Sequence, residues 1–186
     1  ASGYRITVVD PMAWPLSRWL GYHGYAAYAL AAGNGLRWWL SGGLLLAVLA
    51  KFGAVWLGLH LGVYTADAPA ATGGLVVVLT ALPLLLLSTF VASLAEDILT
   101  RGFWYRAAGL RWRSGPVFVL ASSAIYVLNH IYRLGNGPLE WLMLFCFGLA
   151  YATALWRSGS LWAALGLHCG WNLGNGLVDI IMPVAL

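Results

Sequence analysis

Charge is what this sequence has least of. Its 186 residues include ten Lys and Arg and six Asp and Glu, so that 9% are charged while 61% are hydrophobic. Soluble domains carry about 25% charged residues, and a mean hydropathy of +0.80 excludes that class. Cysteine is nearly as scarce. Cys146 and Cys169 both fall inside apolar runs and read as small buried residues rather than a disulfide framework. The first residues lack the charged stretch, apolar run and small-residue site of a cleaved signal, so the first apolar span is expected to act as the insertion signal. No G-x-S-x-G offers a serine nucleophile and no H-E-x-x-H offers a zincin helix. The formal charge of +4 does not point to nucleic acid, because the basic residues are scattered singly apart from Arg101, Arg106, Arg111 and Arg113.

What remains is apolar, rich in Gly and aromatic: 23 Gly, 11 Trp and nine Tyr. Trp and Tyr favour the headgroup zone of a bilayer. The fold class is therefore all-α, a polytopic membrane bundle, and the lipid bilayer is the first partner. A spanning helix needs about 20 residues, so the length allows about six spans in a single domain over 1–186. They are expected at 17–33 (spanning or lying in the interface), 38–64, 73–95, 115–132, 139–156 and 161–184, with turns at "GNG", "YTADAPAAT", "RLGNGP" and "RSGS". Lys and Arg collect in cytoplasmic loops. Arg37, the Arg101 to Arg113 group and Arg157 then share the cytoplasmic side, with both termini outside and Arg133 as the one exception. The expected location is the cell (inner) membrane, multi-pass.

Against this background a few polar residues are out of place. An ionisable group within a span costs about 2.5 to 3.5 kcal/mol on insertion scales and usually faces a cavity or a partner. "LAEDILTRG" closes the third span with Glu96, Asp97 and Arg101; Tyr126 and His130 end the fourth; His168 and Asn172 lie four apart in the sixth. Each has a structural alternative. A membrane His can bond a carbonyl of a neighbouring helix, Asp97 and Arg101 have the i, i+4 spacing of a local ion pair, Lys51 can snorkel, and Glu140 and Asp179 read as helix-end charges.

Depth separates these readings. If the third span continues as helix to a turn at Ser114-Gly115-Pro116, Glu96 lies 18 residues from Ser114 and His130 lies 16. At 1.5 Å per residue both are about 25 Å from the turn. His168, eight residues past Ser160, is about 12 Å from its own turn, and the three align if the hairpin protrudes into the cytoplasm by roughly two to three turns. A carboxylate and a neutral imidazole can share a water and take its proton. A second His and an Asn amide can donate to a developing oxyanion. A zinc site on Glu96, His130 and His168 is the alternative from coordination chemistry, although Asn172 is a poor zinc ligand.

In this order the residues resemble the CAAX protease and bacteriocin-processing family of intramembrane proteases, which includes the type II CAAX prenyl endopeptidases. Its motifs E-E-x-x-x-R, F-x-x-x-H and H-x-x-x-N match Glu96-Asp97-Ile98-Leu99-Thr100-Arg101, Tyr126-Val127-Leu128-Asn129-His130 and His168-Cys169-Gly170-Trp171-Asn172. The resemblance covers about residues 85–180 and departs from the pattern at Asp97 and Tyr126. It implies glutamate-dependent hydrolysis of a membrane-anchored peptide or protein, without cofactor or resident metal. Glu96 would activate water with His130, His168 and Asn172 would form an oxyanion hole, and Asp97, Arg101 and Tyr126 would support them. The site would open toward the cytoplasm. Some relatives are associated with bacteriocin immunity, so a non-catalytic binding or immunity role stands as the alternative. Substrate sequence, prenylation and oligomeric state stay open.

Overall fold

A computed structural model describes residues 13–30, 35–66, 74–107 and 114–185. Helices dominate: α1 (Ala13–Trp19), α2 (Leu36–His60), α3 (Gly74–Asp97), α4 (Phe103–Ala107), α5 (Gly115–Asn129), α6 (Pro138–Ser158) and α7 (Leu161–Ile181). Five residues of π-helix, Ile98–Gly102, join α3 to α4, and 3-10 segments occupy Ala26–Tyr28 and Ile131–Asn136. The chain divides into two compact units, Ala1–Leu36 with Leu94–Ala164 and Arg37–Ser93 with Leu165–Leu186.

The all-α membrane architecture matches the expectation from composition. Among the described residues three helical stretches, Leu36–His60, Leu75–Arg106 and Pro138–Ser158, are long and apolar enough to cross a bilayer, and Gly115–Asn129 is a shorter apolar helix. Residues 17–33 do not make one span. Their described part is the end of α1 and a 3-10 turn, because Gly21 and Gly24 both take positive φ and stop helix propagation. Several hydroxyls inside the apolar helices bond their own backbone. Thr80 donates to Val76 O and Val77 O, and Ser88 and Thr89 both donate to Leu85 O.

In the first unit α5 and α6 form a hairpin. Gly148 lets the helices approach so closely that a Cβ there would stand 2.7 Å from Ser123 Cα. The buried face of α6 is Leu144, Gly148, Tyr151, Ala152 and Leu155, an i, i+4, i+7, i+8, i+11 stripe. Cys146 falls outside that stripe and is exposed, contrary to the sequence expectation, whereas Cys169 is buried. Helix α6 ends at Gly159, whose φ of 67° closes a left-handed cap with its N–H donating to Leu155 O at 2.8 Å. Leu161 N then donates to Ala29 O at 3.0 Å, tying the start of α7 to the turn after the 3-10 segment. Arg133, the sequence's misfit on the outer side, pairs with Glu140 in the first turn of α6.

In the second unit α2 and α7 run parallel, as the register of three glycines shows. Gly166 lies against Leu40 and Gly43, Gly170 against Leu44 and Ala47, and Gly174 against Val48 and Lys51. Small residues every four positions allow the close backbone approach on which membrane helices depend. Lys51 is half-buried, with Nζ 5.2 Å from the centroid of the Trp171 ring, and its stem packs on Gly174. A two-residue antiparallel pair, β1 (Thr65–Ala66) with β2 (Val184–Ala185), ties the loop after α2 to the segment after α7.

Candidate active site

Helix continues past Glu96 as far as Ala107, the remainder of the run to Ser114 lying outside the described residues, and its geometry changes at Ile98. Phe103 N–H donates to Ile98 O, an i to i+5 bond that widens one turn. Such single π turns are rare and recur at functional sites. Side chains serve the carbonyls around it: Thr100 Oγ1 donates to Glu96 O at 2.7 Å, Trp104 Nε1 to Leu99 O at 2.9 Å, and Ser122 Oγ on α5 to Thr100 O at 3.0 Å. Gly102 completes the turn, since a Cβ there would meet Leu161 Cδ2 at 3.0 Å and Tyr28 O at 3.1 Å.

The wide turn carries a fully buried ion pair. Arg101 bonds Asp97, and neither side chain reaches solvent. The local ion pair that the i, i+4 spacing suggested is therefore formed, and it lies inside the unit. The guanidinium lies against two rings, its central carbon 5.1 Å from the centroids of both Tyr126 and Tyr151. The rings meet edge to face at 5.9 Å. Cation–π contact and the Asp97 carboxylate together offset the desolvation of a buried charge. Of the basic group read as a cytoplasmic loop, Arg101 is thus part of the interior, Arg106 is exposed on α4, and Arg111 and Arg113 lie outside the described residues.

His130 caps α5 and is buried. Its Nδ1 lies 2.9 Å from Tyr126 O, a carbonyl that can only accept, so this bond places the proton on Nδ1. Nε2 then faces Glu96, with 3.7 Å to Oε2. Glu96 keeps 30% of its side chain exposed, whereas Oε2, the oxygen that faces His130, is buried. The Tyr126 ring packs on His130 at 4.5 Å between centroids. The first unit thus gathers Glu96, Asp97, Arg101, Tyr126 and His130.

His168 and Asn172 belong to the second unit, on α7, with His168 buried and Asn172 half-buried. Asn172 Nδ2 donates to Ser93 Oγ at 3.1 Å, and Ser93 is itself buried. Cys169 Sγ lies 3.6 Å from Thr89 Oγ1. Among the described residues no group of three His, Cys, Asp or Glu has the arrangement of a metal-binding set. Three contributors escaped the sequence reading: Tyr151, Ser122 and Ser93. Nothing in the local pattern marks the first two, whereas Ser93, three residues before Glu96 in α3, lies on a neighbouring helical position and was within reach.

No curated protein and no solved structure matches the chain. A family model described as Type II CAAX prenyl endopeptidase Rce1-like matches residues 77–174. The matched segment is more than half of the chain and contains all seven residues singled out above, from Glu96 to Asn172. The chain belongs to the Type II CAAX prenyl endopeptidase Rce1-like family.

Proposed function

We propose that the protein is an intramembrane endopeptidase of the glutamate-dependent kind, with Glu96 and His130 activating the attacking water. The observation that carries this reading is the His130–Glu96 pair, two acceptors 3.7 Å apart with the imidazole proton held on the far side by Tyr126 O. A water donating to both would be oriented for attack and would find its base already in place. The water oxygen adds to the scissile carbonyl carbon while its proton passes to Glu96, assisted by His130. The tetrahedral intermediate then collapses, the C–N bond breaks, and the held proton goes to the leaving amine.

His168 and Asn172 are assigned to stabilising the oxyanion, which an imidazole N–H and an amide N–H can do. Their order and spacing within the matched segment support this role. Asp97 and Arg101, stacked on Tyr126, hold the turn that presents Glu96. The substrate is a membrane-anchored peptide or protein. The site opens on the cytoplasmic side, where the distribution of Lys and Arg puts the Arg106 end of the helix.

The test is cleavage of a quenched, membrane-anchored reporter library by purified protein in detergent, wild type against Glu96→Gln, His130→Ala and His168→Ala, with and without a strong chelator. Loss of about 10²-fold or more in each variant, indifferent to chelator, is expected. Chelator-sensitive activity restored by zinc would overturn it in favour of a metal hydrolase. No cleavage by the wild type, with the cellular role kept by Glu96→Gln, would leave a binding or immunity role.

A further inference from the structure

We infer that Ser93 is a positioning residue for Asn172, a role that rests on the oxyanion assignment of the preceding section. An Asn amide has two N–H donors and one carbonyl acceptor on a freely turning group. If it is to stabilise a developing negative charge, it must present N–H and keep its carbonyl away. Asn172 is only half-buried, so packing alone does not fix it. The Ser93 hydroxyl takes one N–H at 3.1 Å, which leaves the second N–H of the same nitrogen free to point at an oxyanion.

Ser93 is well placed for this duty. It is buried in α3, whose rigid backbone also carries Thr89 against Cys169 one turn earlier and Leu85 against Gly176 two turns earlier. The helix face that holds Asn172 is thus fixed at three levels. The same helix reaches Glu96 three residues later. A preorganised donor differs from a merely present one because misplacement by about 1 Å costs on the order of 10²-fold in rate.

Kinetics on the reporter separate this role from a structural one. Ser93→Ala is expected to lower kcat about 10- to 30-fold with KM little changed, the signature of an interaction made in the transition state. Ser93→Thr, which keeps the hydroxyl, restores activity to within about threefold of wild type. In an Asn172→Ala background, Ser93→Ala has no further effect, since Ser93 acts through Asn172. Equal kcat in Ser93→Ala and wild type, or fully additive losses in the double variant, would overturn the inference. Glu96→Gln, run alongside, distinguishes the two failures. If Glu96→Gln is inactive and Ser93→Ala is silent, only the role of Ser93 falls. If Glu96→Gln cleaves normally, the glutamate-dependent reading itself falls.

Discussion

His130 Nε2 stands 3.7 Å from Glu96 Oε2 while its Nδ1 is held 2.9 Å from Tyr126 O. The two distances define a pair whose spacing depends on the length of the glutamate. Glu96→Asp keeps the charge but withdraws the carboxylate by one methylene, about 1.5 Å. Reporter cleavage should fall on the order of 10²-fold in this variant with the fold intact. Cleavage within threefold of wild type would show that the carboxylate need not meet His130.

The buried pair of Arg101 and Asp97 should dominate stability. Arg101→Ala leaves an uncompensated carboxylate in an apolar interior and should cost about 3 kcal/mol or more. Arg101→Lys keeps the charge but loses the guanidinium contact with the Tyr126 and Tyr151 rings, about 2 kcal/mol. Combining Arg101→Met with Asp97→Asn should be milder than Arg101→Ala, because no charge is stranded. Unfolding in detergent micelles, followed by heat or by SDS titration, ranks the three.

The α2–α7 contact predicts opposite outcomes for glycines of the same unit. Gly170→Ala drives a methyl into the Leu44 backbone and should cost about 1–3 kcal/mol. A Cβ at Gly53 in α2 meets nothing within 4 Å, so Gly53→Ala should be neutral or gain up to about 1 kcal/mol of helix propensity. The same unfolding assay checks both, and equal effects would contradict the packing described.

Much of this was legible in the sequence, for reasons that differ by residue. Helix boundaries followed Gly and Pro, as at Gly137-Pro138 and Gly159, because these residues set local φ whatever surrounds them. Asp97 with Arg101 was visible from i, i+4 spacing, yet its burial was not, since burial depends on where Tyr126 and Tyr151 arrive from other helices. The exposure of Cys146 departs from the expectation for a related reason. An all-apolar helix gives no amphipathic stripe to separate its lipid face from its packed one, and in a membrane both faces are equally greasy. The Tyr-rich 17–33 stretch had the composition of a short span, but Gly21 and Gly24 decide its backbone. The two-residue strand pair depends on residues 65 and 185 meeting, which no local pattern encodes.

Ser122 offers a narrower test of the wide turn. Its hydroxyl is the donor given to Thr100 O from α5, and Ser122→Ala should cost about 1 kcal/mol through a carbonyl left without it. Tyr126→Phe, which preserves the ring, should harm activity less than Tyr126→Ala, while both keep the backbone carbonyl that holds Nδ1; the reverse order would mean that the ring contacts with Arg101 and His130 do not matter.

The π turn also has an angular meaning. Each residue of an α-helix advances the chain by about 100° around the axis. One surplus residue within Ile98–Gly102 therefore works as a phase shifter: it resets the azimuth of everything that follows without breaking the rod. Remove a single residue there and the helix would remain continuous. Gly102 would then lose its fit beneath Tyr28 and Leu161, and Trp104 its bond to Leu99 O, because every later side chain would point about a quarter-turn away. The chain's most polar stretch thus keeps its bearings by miscounting once.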